Sequence, residues 1–234
     1  MAEQGISSTM VDYNGGLKAT GYIARPTAVG KYPGVIVLQE WWGLDDHIKD
    51  VARRFAQEGF VALAPDLYHG QIAAEPDEAR KLAMEMDREN AVREITQGAS
   101  YLLNSGNVAG DKVGVVGFCM GGGLSLLTAC RSDKIGASVV FYGGNPNPID
   151  QIQNITCPIL GIYGEDDQGL WPNAVNQLRE ALTRYGKQFD IHSYAGAPHA
   201  FFNDTQPHIY RPAASRDAWA KTLTFYRQHL PKAS

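Results

Sequence analysis

The chain has 234 residues, 44% of them apolar and 20% charged, with a formal net charge of −4. That length and apolar share suit one domain over residues 1–234 with a full-sized core. With no basic stripe, nucleic acid and anionic membrane are poor partners, and no stretch reaches the roughly 18 apolar residues a membrane span needs.

Met1 to Asn14 lacks the apolar run of a secretory signal. Tyr13–Leu17 reads as a tight hairpin turn flanked by short strands, the second near Gly21–Ala24 and closed by Pro26. Gly34–Glu40 is an apolar run ending in polar residues, the pattern of a strand buried on both faces. His47–Gly59 spaces Ile48, Val51, Ala52 and Phe55 as an amphipathic helix, stopped by Gly59, with Asp45, Asp46 and His47 at its start. Phe60–Ala64 is the next strand. Pro76–Leu103 reads as one helix or a broken pair. Lys112–Phe118 is a strand and Gly121–Cys130 a small-residue helix. Further strands are expected at Ala137–Tyr142, Pro158–Tyr163 and Phe189–Tyr194. A helix carrying Val175, Leu178, Leu182 and Tyr185 precedes the last of these, and one carrying Trp219, Leu223, Tyr226 and Leu230 closes the chain. Alternating strands and helices predict an α/β fold, a mostly parallel central sheet with helices on both faces.

Gly117-Phe118-Cys119-Met120-Gly121 is G-x-C-x-G between a strand and a helix, the pattern of a nucleophile elbow with Cys in place of Ser. So sharp a turn strains the nucleophile's backbone and leaves room only for small neighbours. It would hold the sulfur at a helix N-terminus, which favours thiolate, and aim the Met120 N–H at a developing oxyanion. The elbow predicts an acid and then a histidine further along the chain. Ile159–Tyr163 runs into Gly164-Glu165-Asp166-Asp167, which offers Asp167 with Asp166 and Glu165 as rivals. His199 follows the last strand in Gly196-Ala197-Pro198-His199-Ala200-Phe201. Cys130 and Cys157 read as core thiols, and three cysteines at unrelated spacings give no disulfide framework. No zinc-site spacing is present.

These segments closely resemble the dienelactone hydrolase family. The resemblance is carried by Gln39-Glu40-Trp41-Trp42-Gly43-Leu44, Ala64-Pro65-Asp66-Leu67-Tyr68, Gly117–Gly122, Tyr163–Asp167 and Pro198-His199-Ala200-Phe201. It implies an α/β-hydrolase fold with a Cys119–His199–Asp167 triad and favours Asp167 over its neighbours. It further implies that Glu40 lies beside the nucleophile and helps hold or activate the thiol, and that the Trp41 amide joins that of Met120 in the oxyanion hole. Members of the family carry an arginine four residues after the histidine to meet a substrate carboxylate; here that position is Asn203. A carboxylated substrate would then need another cation, for which Arg80 or Arg211 is available. Trp42, Tyr142, Phe201, Asn203 and Arg80 are the candidate substrate contacts.

The expected activity is cysteine-dependent hydrolysis of a small ester or lactone through a thioester. The chain is expected to be a cytoplasmic monomer needing no cofactor or metal. The alternatives are a thioesterase or acyltransferase on the same triad, or a ligand-binding module of low turnover.

Overall fold

The computed structural model describes residues 5–13 and 19–234. Residues 14–17 of the expected hairpin turn lie outside them. Among the described residues eight strands form one sheet: β1 (Ile6–Asp12), β2 (Thr20–Pro26), β3 (Gly34–Leu38), β4 (Val61–Pro65), β5 (Val113–Phe118), β6 (Ile135–Phe141), β7 (Ile159–Gly164) and β8 (Phe189–Tyr194). Their order is β1-β2-β4-β3-β5-β6-β7-β8. The pairs β1–β2 and β2–β4 are antiparallel and every other pair is parallel.

Among the described residues there are six helices: α1 (Asp46–Gln57), α2 (Pro76–Glu85), α3 (Arg88–Asn104), α4 (Met120–Arg131) and α5 (Asn173–Arg184) lie between strands, and α6 (Pro212–His229) follows the last. A short 3-10 segment, Ile149–Asn154, follows β6. The period-2 alternation of side chains along the strands sorts the core into two layers. Ile36, Leu38, Val113 and Val115 face one side and pack under α3, α4 and α5. Val35, Val37, Val116 and Phe118 face the other and pack under α1 and α6. Burial on both faces is why these strands read as continuous apolar runs. Each buried aliphatic side chain contributes about 1.5–3 kcal/mol.

The region from Pro76 is a broken pair of helices rather than one. The break comes at Met86-Asp87, where the Asp87 carboxylate accepts from the N–H groups of Glu89 and Asn90 and caps α3. Asp45 caps α1 in the same way, through the N–H of Ile48. Among the described residues, no helix is long and apolar enough to cross a membrane.

Candidate active site

Parallel strands bring their C-terminal ends to one rim, and the loops there carry the candidate residues. Cys119 sits between β5 and α4 with φ 55° and ψ −115°. Its N–H is held by the Phe141 carbonyl at 3.1 Å. The glycines of the motif are required by close approach. A Cβ on Gly117 would lie 1.9 Å from the Gly121 carbonyl oxygen, and one on Gly121 would lie 2.4 Å from that of Gln39. The start of α4 is thus pressed against the end of β3. Met120 is the first residue of α4, so its N–H has no acceptor within the helix.

Asp167 and His199 meet on this rim. His199 Nδ1 donates to Asp167 Oδ2 at 2.6 Å, and Asp167 is buried. Neither rival takes this place: Asp166 is exposed, and Glu165 accepts from the Ser193 hydroxyl at 2.7 Å. Burial works against a charged His199. Its hydrogen bonds to Asp167 and Cys119, and the negative charge of both, outweigh burial and raise it to about 10. The ring nitrogen not used by Asp167 is therefore the one that serves Cys119.

Glu40, two residues beyond the end of β3, is 2% exposed. Asn203 Nδ2 donates to its Oε2 at 2.9 Å and the Tyr142 hydroxyl donates to its Oε1 at 3.3 Å. Burial nevertheless lifts the carboxyl to about 7; Asp45 pushes the same way, and Asn203, His199 and Tyr142 oppose. Tyr142 stands between Glu40, Cys119 and His199, its ring centroid 5.1 Å from that of His199. Burial and the charges of Glu40 and Cys119 keep its hydroxyl protonated, well above the usual range.

The expected substrate contacts are largely placed elsewhere. Phe201 is fully buried against Tyr142 and Tyr194. Tyr142 and Asn203 turn their polar atoms inward: Asn203 Oδ1 accepts from the N–H and hydroxyl of Thr205 while its Nδ2 serves Glu40. Asn203 therefore supports Glu40 and is closed to substrate. Arg80 is exposed on α2 and paired with Asp77 at 3.2 Å, on a helix whose buried residues are Ala79 and Leu82. The Arg211 guanidinium is taken up by the carbonyls of Gly196, His208 and Tyr210. Trp42 is half-buried, edge-on to Trp41, and both pack with Met120 against Tyr68, Ala73, Ala79 and Leu82.

Two residues at the site carried no role in the sequence reading. The Tyr68 hydroxyl donates to Met120 Sδ at 3.3 Å, and burial with the nearby Cys119 pushes it up to about 12. Arg88, at the start of α3, lines a cleft of about 180 Å³ that opens beside Cys119. A roomier groove of about 410 Å³ lies near Pro33, Phe60 and Pro231 and contains none of these site residues.

The sequence model of the dienelactone hydrolase family matches residues 19–230. "Protein usf" of Aquifex pyrophilus is 39% identical, over 94% of this chain and 98% of its own. A Bradyrhizobium protein named "Probable 2-oxo-3-(5-oxofuran-2-ylidene)propanoate lactonase" is 34% identical, with 98% of each chain covered. Among solved structures, a dienelactone hydrolase-like promiscuous phosphotriesterase from metagenomic libraries superposes with a TM-score of 0.87. It is 25% identical, with 97% of this chain and 99% of that one covered.

Proposed function

The chain belongs to the dienelactone hydrolase family, whose members act on carboxylic esters and lactones, and from that premise we propose that it does so through Cys119 as a covalent nucleophile. The observation that carries this reading is the strained Cys119 elbow joined to a His199–Asp167 pair 2.6 Å apart. The N-terminus of α4 favours negative charge on the sulfur, and the raised His199 holds the proton that the thiol gives up. Asp167 fixes the ring so that its free nitrogen faces Cys119 and stabilises the imidazolium.

Sγ attacks the carbonyl carbon, and the oxyanion is met by the N–H groups of Met120 and Trp41. The C–O bond to the alcohol breaks as His199 donates its proton to the leaving alkoxide, which gives a thioester on Cys119. His199 then takes a proton from water, the hydroxide adds to the thioester, and the carboxylic acid leaves as the thiolate is restored. Glu40, titrating near neutrality behind this pair, is the group that holds or activates the thiol. A small ester or lactone of the kind named for the Bradyrhizobium relative is the substrate class.

Hydrolysis of p-nitrophenyl acetate by wild type and Cys119→Ala, with mass spectrometry of acid-quenched protein, tests this reading. Loss of turnover in the variant, and an acetyl adduct on Cys119 in wild type, is the expected result. Undiminished turnover by Cys119→Ala, or by fully alkylated wild type, would remove Cys119 from the chemistry.

A further inference from the structure

The cleft beside Cys119 has a shape and a charge that the hydrolytic machinery does not use. It runs along one face of α4, past Met120, Gly123, Leu124 and Leu127 to Arg131. Met120 and Arg131 are the two ends of that helix, so the floor extends about 16 Å at 1.5 Å per residue. The opposite wall is the loop after β6. A Cβ on Gly123 would come within 3.3 Å of the Gly144 carbonyl oxygen, so the cleft is narrow where it leaves Cys119.

Charge is concentrated at the distal end. Arg131 is occupied there: Glu89 pairs with it, and Gln151 Oε1 accepts from it at 2.8 and 3.2 Å. Arg88, the neighbour of Glu89, is exposed and engages no carboxylate among the described residues. Arg88 and Arg131 against Glu89 leave one uncompensated positive charge on the cleft wall. His199 and Asp167 do not line this cleft. The alkoxide must leave toward His199, which protonates it, so the α4 side of the sulfur receives the acyl portion.

We propose that this cleft seats an unbranched acyl chain ending in a carboxylate remote from the scissile carbonyl, and that Arg88 is the residue that binds that carboxylate. The proposal rests on the assignment of Cys119 as the nucleophile. The apolar floor of Met120, Leu124 and Leu127 takes the methylenes, and the guanidinium fork meets the carboxylate. A short carboxylated acyl group would leave its charge on the apolar floor, short of Arg88.

The test uses p-nitrophenyl monoesters of unbranched dicarboxylic acids, from succinate to suberate, and the same compounds with the free carboxylate capped as a methyl ester. The quantity read is the ratio of kcat/KM for the free to the capped ester. For the long chains, Arg88→Ala should lower that ratio about fivefold, mainly through KM, the upper end for an exposed ion pair. Arg88→Glu should lower it further, Arg88→Lys should restore part of it, and the effect should fade toward succinate. A ratio that Arg88→Glu leaves unmoved, while both esters are turned over, overturns the anion site and leaves the hydrolase reading standing. Calorimetric binding of monomethyl suberate to Cys119→Ala, with and without Arg88→Ala, separates the converse. Binding that depends on Arg88, in a protein whose wild type hydrolyses no ester, upholds the anion site and overturns the hydrolase reading.

Discussion

Replacing Glu40 by Gln should change the pH dependence of stability in a way that the structure sizes in advance. Glu40 is 2% exposed, and its carboxyl ionises at about 7 in the folded protein against 4.5 ordinarily. Between those values the folded state keeps a proton that the unfolded chain has released. Stability therefore falls as pH rises through that window and is level above about 7. At 1.36 kcal/mol per pKa unit the displacement is worth roughly 3 kcal/mol, of which about 2.5 kcal/mol falls between pH 5 and pH 8. Gln cannot titrate, so the variant escapes this loss. It starts lower at pH 5, because its amide NH2 faces a donor, either Asn203 Nδ2 or the Tyr142 hydroxyl. Urea denaturation of both proteins at several pH values from 5 to 8 gives the difference between them, in which every other titration cancels. That difference should move by about 2–3 kcal/mol in favour of Glu40→Gln as pH rises. A difference that stays flat would mean that Glu40 is already ionised at pH 5, and the account of a poised buried carboxyl would be refuted.

Three further outcomes follow from the same geometry. Asn203→Asp keeps an acceptor for Thr205 but sets a second carboxylate against Glu40; the pair should retain a proton about two units above 7, seen by infrared titration of the carboxyl band. Asp167→Asn should cost about 10²–10⁴ in kcat and bring His199 down from about 10, as read by NMR titration of the imidazole, whereas unchanged values would detach Asp167 from the site. Gly117→Ala should destabilise by about 3 kcal/mol or more, since its Cβ meets backbone that cannot turn aside. Gly59→Ala, at φ +85° with open space around it, should cost only about 1 kcal/mol, and equal losses in calorimetry would refute the steric argument.

Much of this arrangement is local in the chain and so was legible there. The strands of the parallel region declare themselves because both their faces are covered, and the elbow because a tight turn demands glycines at fixed spacing. Cys119, Asp167 and His199 each follow a strand of the parallel region, and parallel strands end on one rim. What the sequence conceals is pairing across long separations. Glu40 meets Tyr142 102 residues away and Asn203 163 residues away, and no periodicity encodes either contact. Asn203 stands where the family resemblance puts an arginine that meets substrate, yet the chain turns its side chain inward. Arg88 is one of several charges in a helical stretch, with no local pattern to mark it. Only the packing of α3 against α4 brings it into the cleft that opens beside Cys119. The break between α2 and α3 lacks glycine and proline and depends on the capping carboxylate of Asp87.

The contacts that fix the elbow are made by main-chain atoms: Gly117 on Gly121, Gly121 on Leu38 and Gln39, and Gly122 on Phe141 and Gly143. None of them involves the side chain at position 119. The frame is therefore indifferent to the side chain at position 119, and a serine could replace the cysteine there without rebuilding the turn. In evolutionary terms the scaffold is separable from the residue it presents, so position 119 can vary while the turn persists.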